Sequence, residues 1–132
     1  MREIKFRAWD KSAKKMIQSV NYALDMFGTS FYWMFGYREP EAVNLDDFVL
    51  MQYTGLKDKN GKEIYEGDIV KWQRAKNKQY HNAEIIFQDG CFCFSTPFLH
   101  YVIHNLSFLE GLCCEVIGNI YENPELLKET KG

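Results

Sequence analysis

The stretch of sequence that decides the fold runs from residue 57 to residue 70. It reads Lys57-Asp58-Lys59-Asn60-Gly61-Lys62-Glu63-Ile64-Tyr65-Glu66-Gly67-Asp68-Ile69-Val70. Asn60-Gly61 is a strong signal for a two-residue hairpin, because both central positions of a type I′ turn need a positive φ angle. Gly67 is the natural positive-φ residue of a second turn. The stretch therefore predicts short strands that follow one another through tight turns.

Strand signals continue toward the C-terminus. Residues 48–54 and 69–72 are rich in β-branched and aromatic residues, which is typical of strands. Residues 84–87 and 91–95 predict a hairpin about Gln88-Asp89-Gly90, and residues 115–121 predict a last strand. Residues 106–112 predict a short helix. Asn123-Pro124-Glu125 is typical of a helix start and predicts a brief C-terminal helix.

The N-terminal third is less regular. Residues 4–9 alternate apolar and polar side chains, which predicts a strand, and residues 16–24 could return as its hairpin partner. Six aromatic residues lie between residues 27 and 44 without a clean period, so we expect an irregular segment with a short helix near residues 40–43. The sequence thus predicts a mainly β (β-rich α+β) fold. We expect residues 46–132 to form a small barrel with a short C-terminal helix, and residues 1–45 to pack against it as one compact unit.

Composition excludes several classes of protein. The chain has 132 residues, of which 46% are hydrophobic and 16% aromatic, so it is too apolar for intrinsic disorder. The net charge of -2 provides no overall field that attracts nucleic acid or an anionic membrane. No apolar run approaches the length of a membrane span, and the first residues do not resemble a secretion signal. We therefore expect a cytoplasmic protein.

Three blocks of the chain form a recognisable pattern. They are Arg2-Glu3-Ile4-Lys5-Phe6-Arg7-Ala8-Trp9-Asp10 with Lys15-Met16; Leu50-Met51-Gln52-Tyr53-Thr54-Gly55-Leu56 with the opening stretch; and Glu115-Val116-Ile117-Gly118-Asn119-Ile120-Tyr121-Glu122-Asn123-Pro124-Glu125-Leu126-Leu127. Together they resemble the YopX-like family of phage and prophage proteins. The resemblance implies an SH3-like barrel in the C-terminal part and no assigned catalytic residue. Residues 19–44 and 73–114 lie outside the blocks, and we expect any partner-specific surface there.

The cysteines and turn carboxylates are weak candidates for a metal site. Cys91 and Cys93 would share one face of a strand, but zinc ligands are usually paired with two to four intervening residues. Adjacent Cys113 and Cys114 do not fit that spacing either, so we favour thiols packed as small apolar groups. Glu63, Glu66 and Asp68 could converge on a cation, but turn architecture is the favoured interpretation. The sequence predicts no metal, no cofactor and no catalytic residue.

A basic segment with interleaved aromatic residues is the candidate for nucleic-acid contact. Cations beside aromatic rings are what a sequence-tolerant single-strand groove uses. The residues concerned are Lys71, Trp72, Arg74, Lys76, Lys78 and Tyr80. The favoured alternative is a solvated loop between strands, because the cluster is short and the net charge is slightly negative.

A second candidate surface is the aromatic segment of residues 27–37. Aromatic residues are enriched at the cores of protein interfaces, although the same residues could instead cover one end of the barrel. The candidate interface residues are Phe31, Tyr32, Trp33, Phe35 and Tyr37. Homo-oligomerisation would bury them, since a domain of this size has a limited core.

These observations favour a non-enzymatic phage or prophage accessory protein. We expect it to act through protein contacts, as a homo-oligomer or with a phage or host protein. A nucleic-acid-binding module that uses residues 71–80 is the main alternative. An enzyme or metal protein is the least favoured.

Overall fold

The computed structural model describes residues 3–18, 21–24, 30–34, 41–73, 79–95 and 114–128, and the side chains of residues 21–24, 30–34 and 41–45 are not described. Contacts divide the chain into an N-terminal unit, Lys5–Gln52, and a C-terminal unit formed by Met1–Ile4 and Tyr53–Gly132. The prediction that residues 1–45 and 46–132 pack as one compact unit stays a prediction.

Antiparallel strands make up most of the described residues, together with two 3-10 turns. The strands are β1 (Phe6–Asp10), β2 (Lys15–Ile17), β3 (Asn21–Leu24), β4 (Ser30–Met34), β5 (Glu41–Asn44), β6 (Phe48–Lys57), β7 (Glu63–Tyr65), β8 (Asp68–Gln73), β9 (Tyr80–Gln88), β10 (Cys91–Ser95) and β11 (Glu115–Asn119); the 3-10 turns are Leu45–Asp47 and Pro124–Leu127. The predicted mainly β fold is confirmed. In the described part of the chain, no helix is long and apolar enough to cross a membrane.

In the N-terminal unit, β1 lies between β2 and the first half of β6. Ala8 pairs with Ile17 on one side and with Leu50 on the other. The predicted first hairpin is therefore confirmed, with a turn held by Asp10. One oxygen of its carboxylate accepts the backbone N–H groups of Ser12 and Ala13, each at 3.0 Å.

The predicted irregular segment contains a second antiparallel sheet, in the order β3-β4-β5. The expectation of a short helix near residues 40–43 is wrong for Glu41–Asn44, which is β5. Phe31 pairs with Val43 and Trp33 with Glu41, so ladder hydrogen bonds satisfy this backbone in place of a helix. The run Phe31-Tyr32-Trp33 hid the strand from sequence inspection, because aromatic residues at successive positions occupy both faces and leave no period of two.

The C-terminal unit contains a four-stranded sheet in the order β10-β9-β8-β11, while β7 pairs with the second half of β6. Its alternating residues meet in an apolar cluster: Ile64, Val70, Trp72, Ala83, Ile85, Phe94, Cys114 and Val116. These strands and this core are consistent with the expected small barrel. The predicted C-terminal helix is present as the 3-10 turn Pro124–Leu127, and residues 106–112 lie outside the described residues.

The predicted hairpin at Asn60-Gly61 exists, but its turn is not of type I′. Gly61 has a φ angle of 82°, but Asn60 does not have a positive φ angle. The non-glycine residues with positive φ in the described part are Lys14 and Asp89. Asp89 (54°) and Gly90 (82°) instead have the two positive φ angles of a type I′ turn, between the paired residues Gln88 and Cys91. The second predicted turn is confirmed, since Gly67 has a φ angle of 85°.

Candidate functional site

Asp58 organises the loop between β6 and β7. One oxygen, Oδ1, accepts the backbone N–H groups of Asn60 (2.8 Å) and Lys62 (2.9 Å). The other, Oδ2, accepts the N–H of Val116 in β11 at 3.0 Å. The N–H of Lys59 donates to the carbonyl of Cys114, also at 3.0 Å. The loop is therefore fixed against the start of β11 from two sides.

The charge of Asp58 suits this role. Burial desolvates the carboxylate and by itself would raise its pKa. The N–H groups of Val116, Lys62 and Asn60 act in the opposite direction and leave the pKa below its usual value. Asp58 is thus ionised at neutral pH and accepts three backbone hydrogen bonds.

A shallow surface pocket of about 110 Å³ lies beside this loop, lined by Lys59, Lys71, Tyr80 and Glu115. The Lys59 ammonium lies 3.6 Å from Glu115 Oε2, and the side-chain amide of Asn60 donates to Oε1 at 3.4 Å. The Lys71 ammonium stands 4.8 Å from the centre of the Tyr80 ring, which is a cation–π contact. Because Glu115 and Lys71 are cross-strand partners, the register of β8 and β11 places both charges at one site.

The predicted nucleic-acid residues are only partly brought together. Lys71 and Tyr80 share the pocket, and Arg74, Lys76 and Lys78 lie outside the described residues. Trp72 is buried, with 6% of its surface exposed, and its ring stacks on Phe94 at a centroid distance of 5.3 Å. It is therefore not available to stack on a base. Its alternation with Val70 on β8 was the sequence signal for burial.

The side chains of the predicted interface residues lie outside the described part of the chain. Phe31, Tyr32 and Trp33 belong to β4, whose side chains are not described, and Phe35 and Tyr37 lie outside the described residues. A different aromatic pair includes one exposed ring, that of Phe87, and the partly buried Phe92. Phe87 has 53% of its surface exposed and meets Phe92 edge to face, with centroids 5.2 Å apart. Sequence inspection missed this pair, although the alternation of Ala83, Ile85 and Phe87 runs on to the hairpin tip.

The described cysteines, Cys91, Cys93 and Cys114, are free. Cys91 and Cys93 share a strand face as predicted, with their sulfur atoms 3.6 Å apart. Burial, and after it the charges of Asp58 and Asp68, raise the pKa of the Cys114 thiol to about 12. Burial also raises the pKa of Cys93. These thiols are therefore protonated at neutral pH, and Cys113 lies outside the described residues.

The turn carboxylates were the other candidates for a metal. Asp68 is almost fully buried, and its Oδ2 accepts the N–H of Tyr65 at 2.8 Å, which fits turn architecture. No three side chains of His, Cys, Asp or Glu are grouped around a common point in the described ranges. His81 lies beside Trp72, with ring centres 5.5 Å apart, while His100 and His104 fall outside those ranges.

Comparisons with known proteins agree with this architecture. The curated protein named SPbeta prophage-derived uncharacterized protein YopX, from Bacillus subtilis (strain 168), is 34% identical over 73 residues, which are 54% of this chain and 54% of that protein. The matched part of the chain thus spans about half the length of this curated relative.

Two solved structures share the fold. The crystal structure of protein EF1440 from Enterococcus faecalis has a TM-score of 0.68 and 34% identity, and covers 96% of this chain and 99% of that one. The structure of protein yopX from Bacillus subtilis has a TM-score of 0.64, 23% identity and the same coverage, and supports the fold alone. A family model described as YopX protein matches residues 5–128. Because that match extends over nearly the whole chain, the chain belongs to the YopX protein family.

Proposed function

We propose that this chain is a phage- or prophage-encoded accessory protein that acts through protein–protein contacts and without catalysis, first of all with a second copy of itself. The prophage origin of the Bacillus subtilis relative supports a phage or prophage origin for this chain. The proposed location is the cytoplasm of the bacterial host, where free thiols such as those of Cys91, Cys93 and Cys114 are the default.

The observation that carries the proposal is the exposed ring of Phe87, which lies against the partly buried Phe92. Phe92 and Phe87 are cross-strand partners, as are Phe94 and Ile85, so all four side chains lie on one face of the sheet. Phe94 and Ile85 belong to the core, whereas more than half of Phe87 is exposed. The core face therefore continues into solvent at the tip of the β9–β10 hairpin.

The small exposed surface at Phe87 favours a second copy of this chain as the binding partner. Burying the exposed part of one phenyl ring stabilises a contact by about 1 kcal/mol, which is too little for a stable complex. A two-fold symmetric contact uses the same patch twice, and so doubles the gain from each residue. The small net charge of -2 leaves little repulsion between copies.

The proposal of a non-enzymatic role draws support from the described thiols. A nucleophilic cysteine needs a lowered pKa, from a neighbouring base or cation. The pKa values of Cys93 and Cys114 are shifted the other way, by burial and by nearby acidic groups.

Light scattering coupled to size-exclusion chromatography tests the contact. The native chain should show a mass above that of the monomer, rising with concentration. Phe87→Ser should return it to the monomer, whereas Tyr80→Ser, which removes an exposed aromatic ring from a different site, should leave the mass unchanged. Circular dichroism establishes that both variants are folded. A native chain that stays monomeric at every concentration contradicts the proposal.

One observation favours a second function, the binding of single-stranded nucleic acid at the pocket. Tyr80 presents 43% of its surface, with the Lys71 ammonium over its ring and Lys59 lining the same pocket. Exposed rings and cations of this kind stack on bases and neutralise phosphates. Glu115 in the same pocket weakens the attraction.

Fluorescence anisotropy with labelled single strands tests this second function. Lys71→Ala and Tyr80→Ala should each weaken binding at low salt, while Lys57→Ala, an exposed lysine outside the pocket lining, serves as the control for general charge. Binding that is equal in all three variants, or absent at low salt, removes this function.

A further inference from the structure

Two thiols and a carbonyl oxygen form a nearly equilateral triangle at the start of β10. The sulfur atoms of Cys91 and Cys93 lie 3.6 Å apart. The carbonyl oxygen of Gln88 lies 3.4 Å from Cys91 Sγ and 3.8 Å from Cys93 Sγ. Both thiols are placed to donate to this one oxygen, and Cys93 Sγ also lies 3.4 Å from the carbonyl oxygen of Cys91.

The hairpin builds this triangle. Residues two apart on a strand project from the same face, which brings Cys91 and Cys93 together. The tight turn at Asp89 and Gly90 makes Gln88 the cross-strand partner of Cys91, so its carbonyl reaches the same place. The site therefore rests on the backbone of a two-residue turn as well as on the cysteines.

The dimensions of the triangle suit a metal ion with sulfur ligands. A point equidistant from the three atoms, in their plane, lies about 2.1 Å from each. Bonds of about 2.3 Å to sulfur and 2.0–2.2 Å to oxygen place a zinc ion at or slightly above that plane, as in one face of a tetrahedron. A disulfide would instead need the sulfur atoms to approach to about 2.05 Å.

We propose that Cys91, Cys93 and the carbonyl oxygen of Gln88 form a binding site for a thiophilic metal ion of the zinc class. Binding converts two S–H groups into two metal–sulfur bonds and releases two protons to solvent, with no change of oxidation state. The Gln88 oxygen, which accepts the S–H groups in the metal-free protein, then faces the ion.

Exposure and charge fit such a site. Cys93 is fully buried, while Cys91 is partly exposed, so one side of the triangle is dry and the other is open to water for the fourth ligand. The negative charge of Asp89 acts on the Cys93 thiol, and it would attract a cation bound there. The usual spacing of two to four residues between paired ligands is that of structural zinc sites with four protein ligands. The site proposed here has only two thiol ligands, and a single residue separates them.

Cadmium titration of the full chain tests the site, because cadmium bound to thiolates gives a sulfur-to-metal charge-transfer absorption. The native chain should develop this absorption and saturate at one equivalent. Cys91→Ser should abolish it. Cys113→Ser, a matched loss of one thiol elsewhere in the sequence, should retain it. Asp89→Asn keeps a residue that tolerates the positive φ angle of the turn but removes the negative charge. It should weaken cadmium binding by about tenfold, as the loss of a group that surrounds the ligands of a metal site does.

A second measurement needs no variant. Zinc bound at the triangle should slow the alkylation of Cys91 by iodoacetamide in the native chain. An absorption that survives in Cys91→Ser, alkylation unchanged by zinc, or a Cys91–Cys93 disulfide in the purified protein, detected as the loss of two hydrogens, overturns the proposal.

Discussion

The two tight hairpins of the C-terminal unit reverse the chain by different means. Gly61 in the β6–β7 loop and Gly90 in the β9–β10 turn have equal φ angles of 82°. The β9–β10 turn needs only its backbone, since Asp89 and Gly90 both adopt positive φ. The β6–β7 loop needs the Asp58 carboxylate, which joins it to β11. A turn signal in sequence thus indicates where a chain reverses, but not what holds the reversal.

The largest expected effect on the free energy of unfolding comes from removing the Asp58 carboxylate, which holds the β6–β7 loop but not the β9–β10 turn. Asp58→Ala leaves three backbone N–H groups without their acceptor, at about 1 kcal/mol each. We expect a loss of about 3 kcal/mol in the free energy of unfolding, measured by urea denaturation. Asp89→Ala removes the equivalent acidic side chain from the other hairpin and should cost less. Equal losses would contradict the comparison.

The next expected effect is the contribution of Asp58 to the pH dependence of the free energy of unfolding. The pKa of Asp58 is lowered in the folded chain, so its contribution is fully present above the unfolded-state value of about 3.9. It is lost as the pH falls through the lower folded value, because the unfolded chain then takes up the proton first. The stability difference between the native chain and Asp58→Asn should therefore shrink below about pH 4. A difference that grows on acidification would refute the assignment.

Gly61 and Gly90 should behave alike on substitution, since both have the same φ angle although the two turns differ in type. A Cβ atom at Gly61 or Gly90 would meet nothing within 4 Å, so the cost of alanine is purely conformational. Gly61→Ala and Gly90→Ala should each lose about 1–2 kcal/mol in thermal or urea unfolding. Asparagine tolerates positive φ better and should recover part of the loss at both positions. A marked difference between the two alanine variants would show that one turn can relax.

The smallest expected effect is that of Asp89→Asn on the stability of the metal-free chain. Aspartate and asparagine are both favoured at the first central position of a type I′ turn. The free energy of unfolding should therefore change by less than about 0.5 kcal/mol. The same substitution at Asp58 removes the charge that accepts three hydrogen bonds and should cost more. Parallel denaturation of the two variants measures the difference directly.

Local signals account for what the sequence predicted well. Gly67 marked its turn, Asn60-Gly61 marked a reversal, and the alternation in Cys91-Phe92-Cys93 placed both thiols on one face. Each of these features depends on neighbouring residues alone. The strand at residues 30–34 was missed because its consecutive aromatic residues show no alternation, and its pairing with Glu41–Asn44 decides the structure there.

The candidate site was less predictable because its contacts join distant segments. Lys71 and Tyr80 were identified from composition, but no local pattern connects them to Lys59 and Glu115. Trp72 was misjudged because the surrounding basic residues suggested exposure, whereas its position on β8 directs it to the core. Asp58 was overlooked because Val116, whose N–H donates to its carboxylate, follows it by 58 residues.

The hydrogen bond between Asp58 and the distant Val116 affects the order in which the chain folds during synthesis. The β6–β7 hairpin can close as soon as residue 65 has left the ribosome, but the Val116 N–H group arrives much later. Until then the carboxylate must be satisfied by water, and the hairpin lacks one of its three hydrogen bonds to Asp58. Long-range contacts of this kind form late and slow folding. The hairpin that appears most local in the sequence is therefore completed only when β11 has been made.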